Sequence, residues 1–177
     1  MSGHNKWSKI KNKKAVTDAQ KSKVFSKLVR FITVESKKAK GDVNSPGLRA
    51  AILKAKAENV PNDNIERAVK KGTGADAGEM EQITYEAYGP GGCALMIEAL
   101  TDNRNKAAQE VKHILTKNGF ELAAPGSAAW AFVKAVDGGW NPNMHIQIGE
   151  ADGEKLNVLI EELEDNDEVQ EVYTNAE

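Results

Sequence analysis

Apolar residues recur at helical spacing in the first part of the chain. A stripe at i, i+4, i+7 and i+8 predicts a first helix over residues 17–41. The Ser-Pro pair at 45–46 predicts the start of a second helix, because serine caps helix starts and proline suits the first turn, and Pro61 prevents its continuation. A third, short helix is predicted from Asn62, with Gly72 as its terminator. The stripe of the first helix consists of Val24, Leu28, Phe31 and Ile32.

The periodicity changes to two after a stretch of small residues. Alternating residues predict a strand at 83–88, and a glycine-rich turn then leads into a largely apolar run at 93–100 that is typical of a buried strand. A strand followed by two β-α-β units in tandem is typical of a ferredoxin-like α/β sandwich with one extra N-terminal strand. The remaining predicted elements are helices at 102–117 and 152–163 and strands at 128–133, 145–148 and 169–173.

These patterns predict an α+β protein with two domains. Residues 1–16 have little periodic apolar content and are expected to form a basic flexible arm. A basic three-helix domain is expected at 17–72 and a linker at 73–79. The ferredoxin-like α+β domain is expected at 80–177.

The charge is distributed very unevenly along the chain. The net charge is −2, but residues 1–78 contain 18 Lys or Arg against 7 Asp or Glu, whereas residues 79–177 contain 6 against 19. An asymmetry of this size is informative about the binding partners of a protein, but it is no argument about the fold. We expect the basic N-terminal part to bind a polyanion and the acidic second domain to present a surface to protein partners.

Other features of the sequence narrow the class of protein. No apolar run approaches the ~20 residues that cross a bilayer, and no apolar segment of a secretory signal follows the N-terminus. The single cysteine, Cys93, cannot form an internal disulfide, which fits a reducing compartment. We therefore expect a cytoplasmic protein without a membrane partner.

Lysines around a tryptophan form the candidate nucleic-acid site. Trp7 either stacks on a base or packs against the first helix, and the sequence leaves both alternatives open. Lysine supplies point charge rather than planar base recognition, so the composition favours a phosphate backbone, as in structured RNA. The candidate nucleic-acid-binding residues are Lys6, Trp7, Lys9, Lys11, Lys13, Lys14, Lys21, Lys23, Lys27 and Arg30. Candidate contacts with a partner are His4, Asn5, Arg104 and Asn105.

No pattern of catalytic, metal-binding or cofactor-binding residues emerges from the sequence. The three histidines lie far apart, and Cys93 has no companion cysteine at metal-ligand spacing. The segment 70–74 resembles a phosphate loop only superficially, because its lysines precede its glycines and close a helix. We expect a protein that is not an enzyme, with no metal, no cofactor and no small-molecule substrate.

Several long motifs lie along the chain at residues 3–11, 13–15, 18–21, 59–67, 71–74, 85–92, 98–105, 117–119 and 125–127, with Trp130. In this order they resemble the YebC/PmpR family. Members of that family are described as transcriptional regulators and as translation factors, so the resemblance implies binding and no catalysis. The resemblance also implies a third, inserted domain, which is absent here near residues 135–143.

Together these observations predict a nucleic-acid-binding regulator of gene expression. The family resemblance leaves two versions open: a DNA-binding transcriptional regulator, or a translation factor associated with the ribosome through ribosomal RNA. The lysine-rich composition favours the second version. The alternative is a protein-binding adaptor whose basic domain docks on an acidic partner.

Overall fold

The computed structural model describes residues 18–75, 78, 80–136 and 138–177. The chain divides into two compact units. The helical unit comprises the described part of Val16–Gln82 together with Leu100–Asn103. The sheet unit comprises Ile83–Ala99 and Arg104–Glu177. The expected arm at 1–16 lies outside the described residues.

Three helices form the helical unit: α1 (Asp18–Ala39), α2 (Pro46–Ala57) and α3 (Asn62–Thr73). Of the predicted stripe, Leu28 and Ile32 are buried, whereas Val24, one turn nearer the N-terminus, is exposed. Helix α2 begins with a proline in its first turn, as predicted. The buried core consists of Leu28, Ile32, Leu48, Ala51, Ala55, Val60, Ile65 and Ala68.

The prediction that Gly72 terminates the third helix is wrong, because Gly72 lies inside α3 and is buried. A Cβ atom at this position would lie 2.6 Å from the carbonyl oxygen of Thr33 and 2.6 Å from Cβ of Ser36, both on α1. The Ser36 hydroxyl donates a hydrogen bond to the Val69 carbonyl oxygen at 2.7 Å. Gly72 therefore serves the close approach of two helices rather than the end of one.

The sheet unit contains a four-stranded sheet in the order β3-β1-β2-β6 and a separate two-stranded sheet, β4-β5. Strands β3 and β6 pair antiparallel with β1 and β2, respectively. The strands are β1 (Glu81–Tyr88), β2 (Ala94–Thr101), β3 (Leu122–Ala123), β4 (Phe132–Lys134), β5 (Trp140–Pro142) and β6 (Val169–Thr174). The helices are α4 (Arg104–Lys117) and α5 (Glu150–Asp165), and 3₁₀ turns occur at Pro90–Gly92 and Ala129–Ala131.

The predicted fold class is confirmed: a three-helix domain precedes an α+β domain of the ferredoxin-like kind. Helices α4 and α5 pack on one face of the sheet through a core that includes Leu95, Ile97, Val111 and Leu159. The extra N-terminal strand, β1, lies inside the sheet, between β3 and β2. No helix in the described part of the chain is long and apolar enough to cross a membrane.

Two of the strand predictions are wrong in detail. The segment 128–133 forms a 3₁₀ turn and then β4, which pairs only with β5. The segment 145–148 forms a single parallel bridge, between Ile146 and Ala176. Strand β5 was not predicted, because its Trp-Asn-Pro sequence has little alternation and follows glycines that indicate a turn.

The β4-β5 sheet covers the second face of the main sheet, where a carboxylate anchors it. Glu98 is 5% exposed, and its Oε1 accepts hydrogen bonds from the Thr84 hydroxyl at 2.8 Å and from Trp140 Nε1 at 2.5 Å. Lys134 Nζ lies 3.5 Å from the same oxygen and 4.0 Å from the centre of the Trp140 ring. Opposite charge, a hydrogen bond and a cation–π contact therefore hold this layer in place.

A second buried carboxylate, Glu86, organises the loop before β4. Its oxygens accept backbone N–H groups from Gly126, from Ala128 at 3.0 Å and from Ala129 at 2.6 Å. These backbone donors satisfy the buried carboxylate and fix the course of the loop around it. The alternating pattern of β1 does not distinguish such a carboxylate from a solvent-exposed one.

The thiol of Cys93 is expected to react slowly in the folded protein. Cys93 is fully buried directly before β2, and burial raises the pKa of its thiol. Little of the reactive thiolate therefore forms near neutral pH. Labelling with Ellman's reagent should be slow in buffer and fast in denaturing urea. Fast labelling of the native protein near pH 8 would contradict the buried position.

Candidate nucleic-acid interface

The helical unit presents a strongly basic surface over an apolar interior. Its described residues 18–75 contain thirteen Lys or Arg and six Asp or Glu. None of these thirteen cations is buried, so they lie at or near the surface. A surplus of seven positive charges on so small a unit is the electrostatic feature expected of a polyanion-binding surface.

Four of the predicted binding residues lie on α1. Lys23, Lys27 and Arg30 follow one another at helical spacing and share one side of the helix, whereas Lys21 points elsewhere. Lys21 is exposed and the other three are half-buried. The Arg30 guanidinium donates a hydrogen bond of 3.5 Å to the Leu100 carbonyl oxygen. The helix thus brings three of the four cations together.

The other predicted contacts are divided between the described and the undescribed parts of the chain. Arg104 and Asn105 are exposed at the start of α4. The turn before them is fixed by the Thr101 hydroxyl, which accepts the Asn103 N–H at 2.9 Å and donates to the Asn103 carbonyl. Outside the described residues lie His4, Asn5, Lys6, Trp7, Lys9, Lys11, Lys13 and Lys14.

Further cations near the ends of the helices were not among the candidates. Lys38 pairs with Glu35 at 2.7 Å, and Lys37 donates to the Gly78 carbonyl oxygen at 2.9 Å. Arg67 Nη2 donates to the Asn64 side chain at 3.0 Å. The remaining ones on α2, on α3 and just after α1 are exposed: Lys40, Arg49, Lys54, Lys56, Lys70 and Lys71. Several of them are recognisable in the sequence as basic residues near helix ends, but such residues also commonly stabilise the last turn of a helix.

The sheet unit has the opposite charge, and several of its lysines pair with carboxylates. Lys106 lies 3.2 Å from Glu168, and Lys117 lies 3.1 Å from Glu162. Hydrogen bonds from the Asn118 amide and the Lys117 ammonium lower the pKa of Glu162. Because carboxylates outnumber cations throughout residues 79–177, this unit is a poor surface for a polyanion.

The described residues contain no group of three or more His, Cys, Asp or Glu side chains that could hold a metal ion. His113 and His145 are both exposed, and they lie on α4 and before α5, respectively.

Comparison with known proteins agrees with this architecture. The family model described as the TACO1/YebC protein N-terminal domain matches residues 5–75. The model of the TACO1/YebC second and third domain matches residues 80–138 and 133–176. A conserved hypothetical protein from Aquifex aeolicus has a similar crystal structure, with a TM-score of 0.86 and 32% identity over 98% of this chain and 97% of that one.

Two bacterial relatives are named as probable transcriptional regulatory proteins. The one from Fervidobacterium nodosum is 40% identical over 235 aligned positions, which take in 99% of this chain and 93% of the relative. The one from Syntrophobacter fumaroxidans is 44% identical over all of this chain and 72% of its own length. An alignment of 235 positions exceeds the 177 residues here, so the Fervidobacterium relative carries residues that this chain lacks. The chain belongs to the TACO1/YebC family, in a shortened form.

Proposed function

We propose that this protein is a non-enzymatic regulator of gene expression that binds nucleic acid through residues 1–71. The observation that carries the proposal is the basic surface of the helical unit, with thirteen Lys or Arg against six Asp or Glu in the described residues 18–75. The naming of its relatives as probable transcriptional regulatory proteins supports a regulatory role. The five lysines of residues 1–16 add to the same charge.

Structured RNA, as in the ribosome, is the preferred target over a specific DNA sequence. Direct readout of bases relies heavily on arginine, asparagine and glutamine side chains that form paired hydrogen bonds to base edges. The helical unit has ten lysines and three arginines. Of the arginines, Arg30 and Arg67 already donate hydrogen bonds within the protein. Lysines bind phosphates without reading sequence, so the protein recognises a backbone and its shape.

The sheet unit supplies a surface for protein partners in this proposal. Its carboxylates repel a polyanion, and it exposes the apolar side chains of Trp130, Val133 and Met144. Trp130 Nε1 donates to the Tyr88 hydroxyl at 2.9 Å, which fixes the orientation of the indole ring. Aromatic residues such as tryptophan are enriched at protein interfaces.

Co-sedimentation with ribosomes, beside binding to duplex DNA and duplex RNA, tests this proposal. The full chain should sediment with ribosomes and bind RNA at least as tightly as DNA. A version lacking residues 1–16 should lose most of that affinity, because it loses five positive charges and Trp7. Unchanged binding by the shortened version would place the interface on the helices alone.

The alternative function, an adaptor whose basic domain docks on an acidic protein, makes a different prediction. It requires tight binding to an acidic protein and only weak, non-specific binding to RNA. Stronger binding to DNA than to RNA would instead favour the transcriptional version of the proposal.

A further inference from the structure

The C-terminal ends of α1 and α3 lie side by side. A Cβ atom on Gly41, just after α1, would lie 2.6 Å from Cγ2 of Thr73, the last residue of α3. One turn earlier, the Ser36 hydroxyl of α1 donates to the Val69 carbonyl of α3 at 2.7 Å. The last turns of the two helices therefore meet at the same place on the helical unit.

Lysines are concentrated where these two helices end. Lys37 and Lys38 are engaged within the protein, with the Gly78 carbonyl and with Glu35 and Gln82. The other three, Lys40, Lys70 and Lys71, are exposed, and we call them the lysine cluster. Lys70 is three residues before Thr73 and so lies on the side of α3 that approaches Gly41.

The backbone of Lys40 is unusual among the helix ends of this chain. Helices α1, α2 and α4 end with the same pair of backbone hydrogen bonds, formed by the residue in the left-handed conformation and the residue after it. At the end of α1, the N–H groups of Lys40 and Gly41 donate to the carbonyl oxygens of Lys37 and Ser36, respectively. At the end of α2, Asn59 and Val60 donate to Lys56 and Ala55, and at the end of α4, Gly119 and Phe120 donate to Thr116 and Leu115.

The left-handed residue is glycine at the end of α4 and asparagine at the end of α2, the two residue types that tolerate this conformation best. At the end of α1 it is Lys40, with φ of 51°, and the following Gly41 is left-handed as well, with φ of 80°. A lysine in this conformation is strained, and strain of this kind is often retained where a side chain has a functional task.

The charges at this place favour an anion. Each helix C-terminus contributes roughly half a negative charge, so the two together offset about one positive charge. The lysine cluster alone carries three. The carbonyl groups at the helix ends repel a phosphate that lies close to the backbone. The lysine ammonium groups extend away from the backbone on flexible stems and can bind a phosphate there.

We propose that the lysine cluster is a second contact surface for the phosphate backbone of the nucleic acid, separate from the arm and from Lys21, Lys23, Lys27 and Arg30. This inference rests on the proposed function and locates part of its binding surface. The cluster binds phosphates as point charges and does not discriminate between sequences.

Substitution of the cluster in the full chain tests this inference. Each lost phosphate contact should weaken binding to an RNA duplex about five- to eightfold at about 0.1 M salt, so K70Q/K71Q should bind roughly 25- to 60-fold more weakly. The matched control is K112Q/K155Q, which removes two exposed lysines from α4 and α5 of the sheet unit. The control should change affinity by less than about twofold, because both of its lysines belong to the acidic sheet unit and not to the proposed contact surface.

Lys40→Gly separates binding from stability. Glycine relieves the left-handed strain, so the melting temperature should rise by about 2–4 °C. The same change removes a charge, so RNA affinity should fall about five- to eightfold at about 0.1 M salt. If Lys40 served only to end the helix, Lys40→Gly would change the melting temperature and leave RNA affinity unchanged.

The outcomes distinguish this inference from the proposed function. If K70Q/K71Q and Lys40→Gly bind RNA like the wild type while neutralisation of the arm lysines abolishes binding, the cluster is not a contact and the proposed function stands. If none of these variants changes RNA binding, the proposed function also fails. If K70Q/K71Q loses no more RNA affinity than K112Q/K155Q, the loss reflects only the change in net charge, and the inference is overturned.

Discussion

Replacement of Gly72 by alanine is expected to destabilise the protein by about 1–3 kcal/mol, although alanine is the better helix former. The gain in helix propensity is about 0.8–1.0 kcal/mol. Against it stands a new methyl group 2.6 Å from the Thr33 carbonyl oxygen, which belongs to the backbone of α1 and cannot rotate away. Because both partners are buried in α1 and α3, the two helices must separate.

Helix separation would also disturb the polar contact between the same helices. The hydrogen bond from Ser36 to the Val69 carbonyl lies one turn from Gly72, and Ser36 is fully buried. A buried hydroxyl that loses its partner costs about 1–3 kcal/mol, so the two effects reinforce each other. A larger residue, such as leucine at position 72, should prevent the helical unit from folding.

Gly47→Ala is the matched control for this prediction. Gly47 also lies in a helix, but the atom nearest to its added Cβ would be a carboxylate oxygen of Glu35, at the end of a flexible side chain. This substitution should therefore be neutral or slightly stabilising. Urea unfolding followed by circular dichroism measures both variants. A Gly72→Ala variant as stable as Gly47→Ala would contradict the close packing of α1 on α3.

Neutralisation of the arm is expected to have the largest effect on function. Substitution of its five lysines by glutamine should weaken RNA affinity more than a thousandfold at about 0.1 M salt, if each lysine contacts one phosphate. Fluorescence anisotropy with a labelled RNA duplex measures the change. The changed residues are Lys6, Lys9, Lys11, Lys13 and Lys14.

The fold provides a control for the arm variant. The described cores of both units consist of apolar side chains, so exchange of five polar lysines for polar glutamines should leave the unfolding midpoint in urea unchanged. A tenfold effect or less, with the fold intact, would mean that the helices carry most of the binding.

The sequence predicted the helical elements well because each carries local signals. Proline and serine mark the start of α2, and an apolar stripe marks α1. Gly72 was misinterpreted because a glycine near a helix end is usually a cap, and only the neighbouring helix reveals that it is a point of contact.

The second face of the sheet could not be predicted from local patterns. Glu86 has the position of a solvent-exposed member of an alternating strand, yet it is buried, as is Glu98. Their partners, such as Ala128 and Trp140, are about forty residues away in sequence. Long-range pairings of this kind leave no periodic signal in a single sequence.

The positive charge of the candidate site could be predicted from the sequence, but the grouping of its residues on one surface could be predicted only in part. Counting lysines located the basic region, and helical spacing grouped Lys23, Lys27 and Arg30. The meeting of the α1 and α3 ends, which brings Lys40 near Lys70, depends on tertiary packing through Gly41 and Thr73.

The salt dependence of RNA affinity is the most direct test of the central claim that the basic N-terminal region binds a phosphate backbone. Affinity of the full chain and of the five-lysine arm variant would be measured across a range of salt concentrations. For the wild type, log Kobs should fall linearly with log salt concentration, and the arm variant should have a slope smaller by about 3.5 to 4.5. Equal slopes for the two proteins, or RNA binding that does not depend on salt, would contradict the claim.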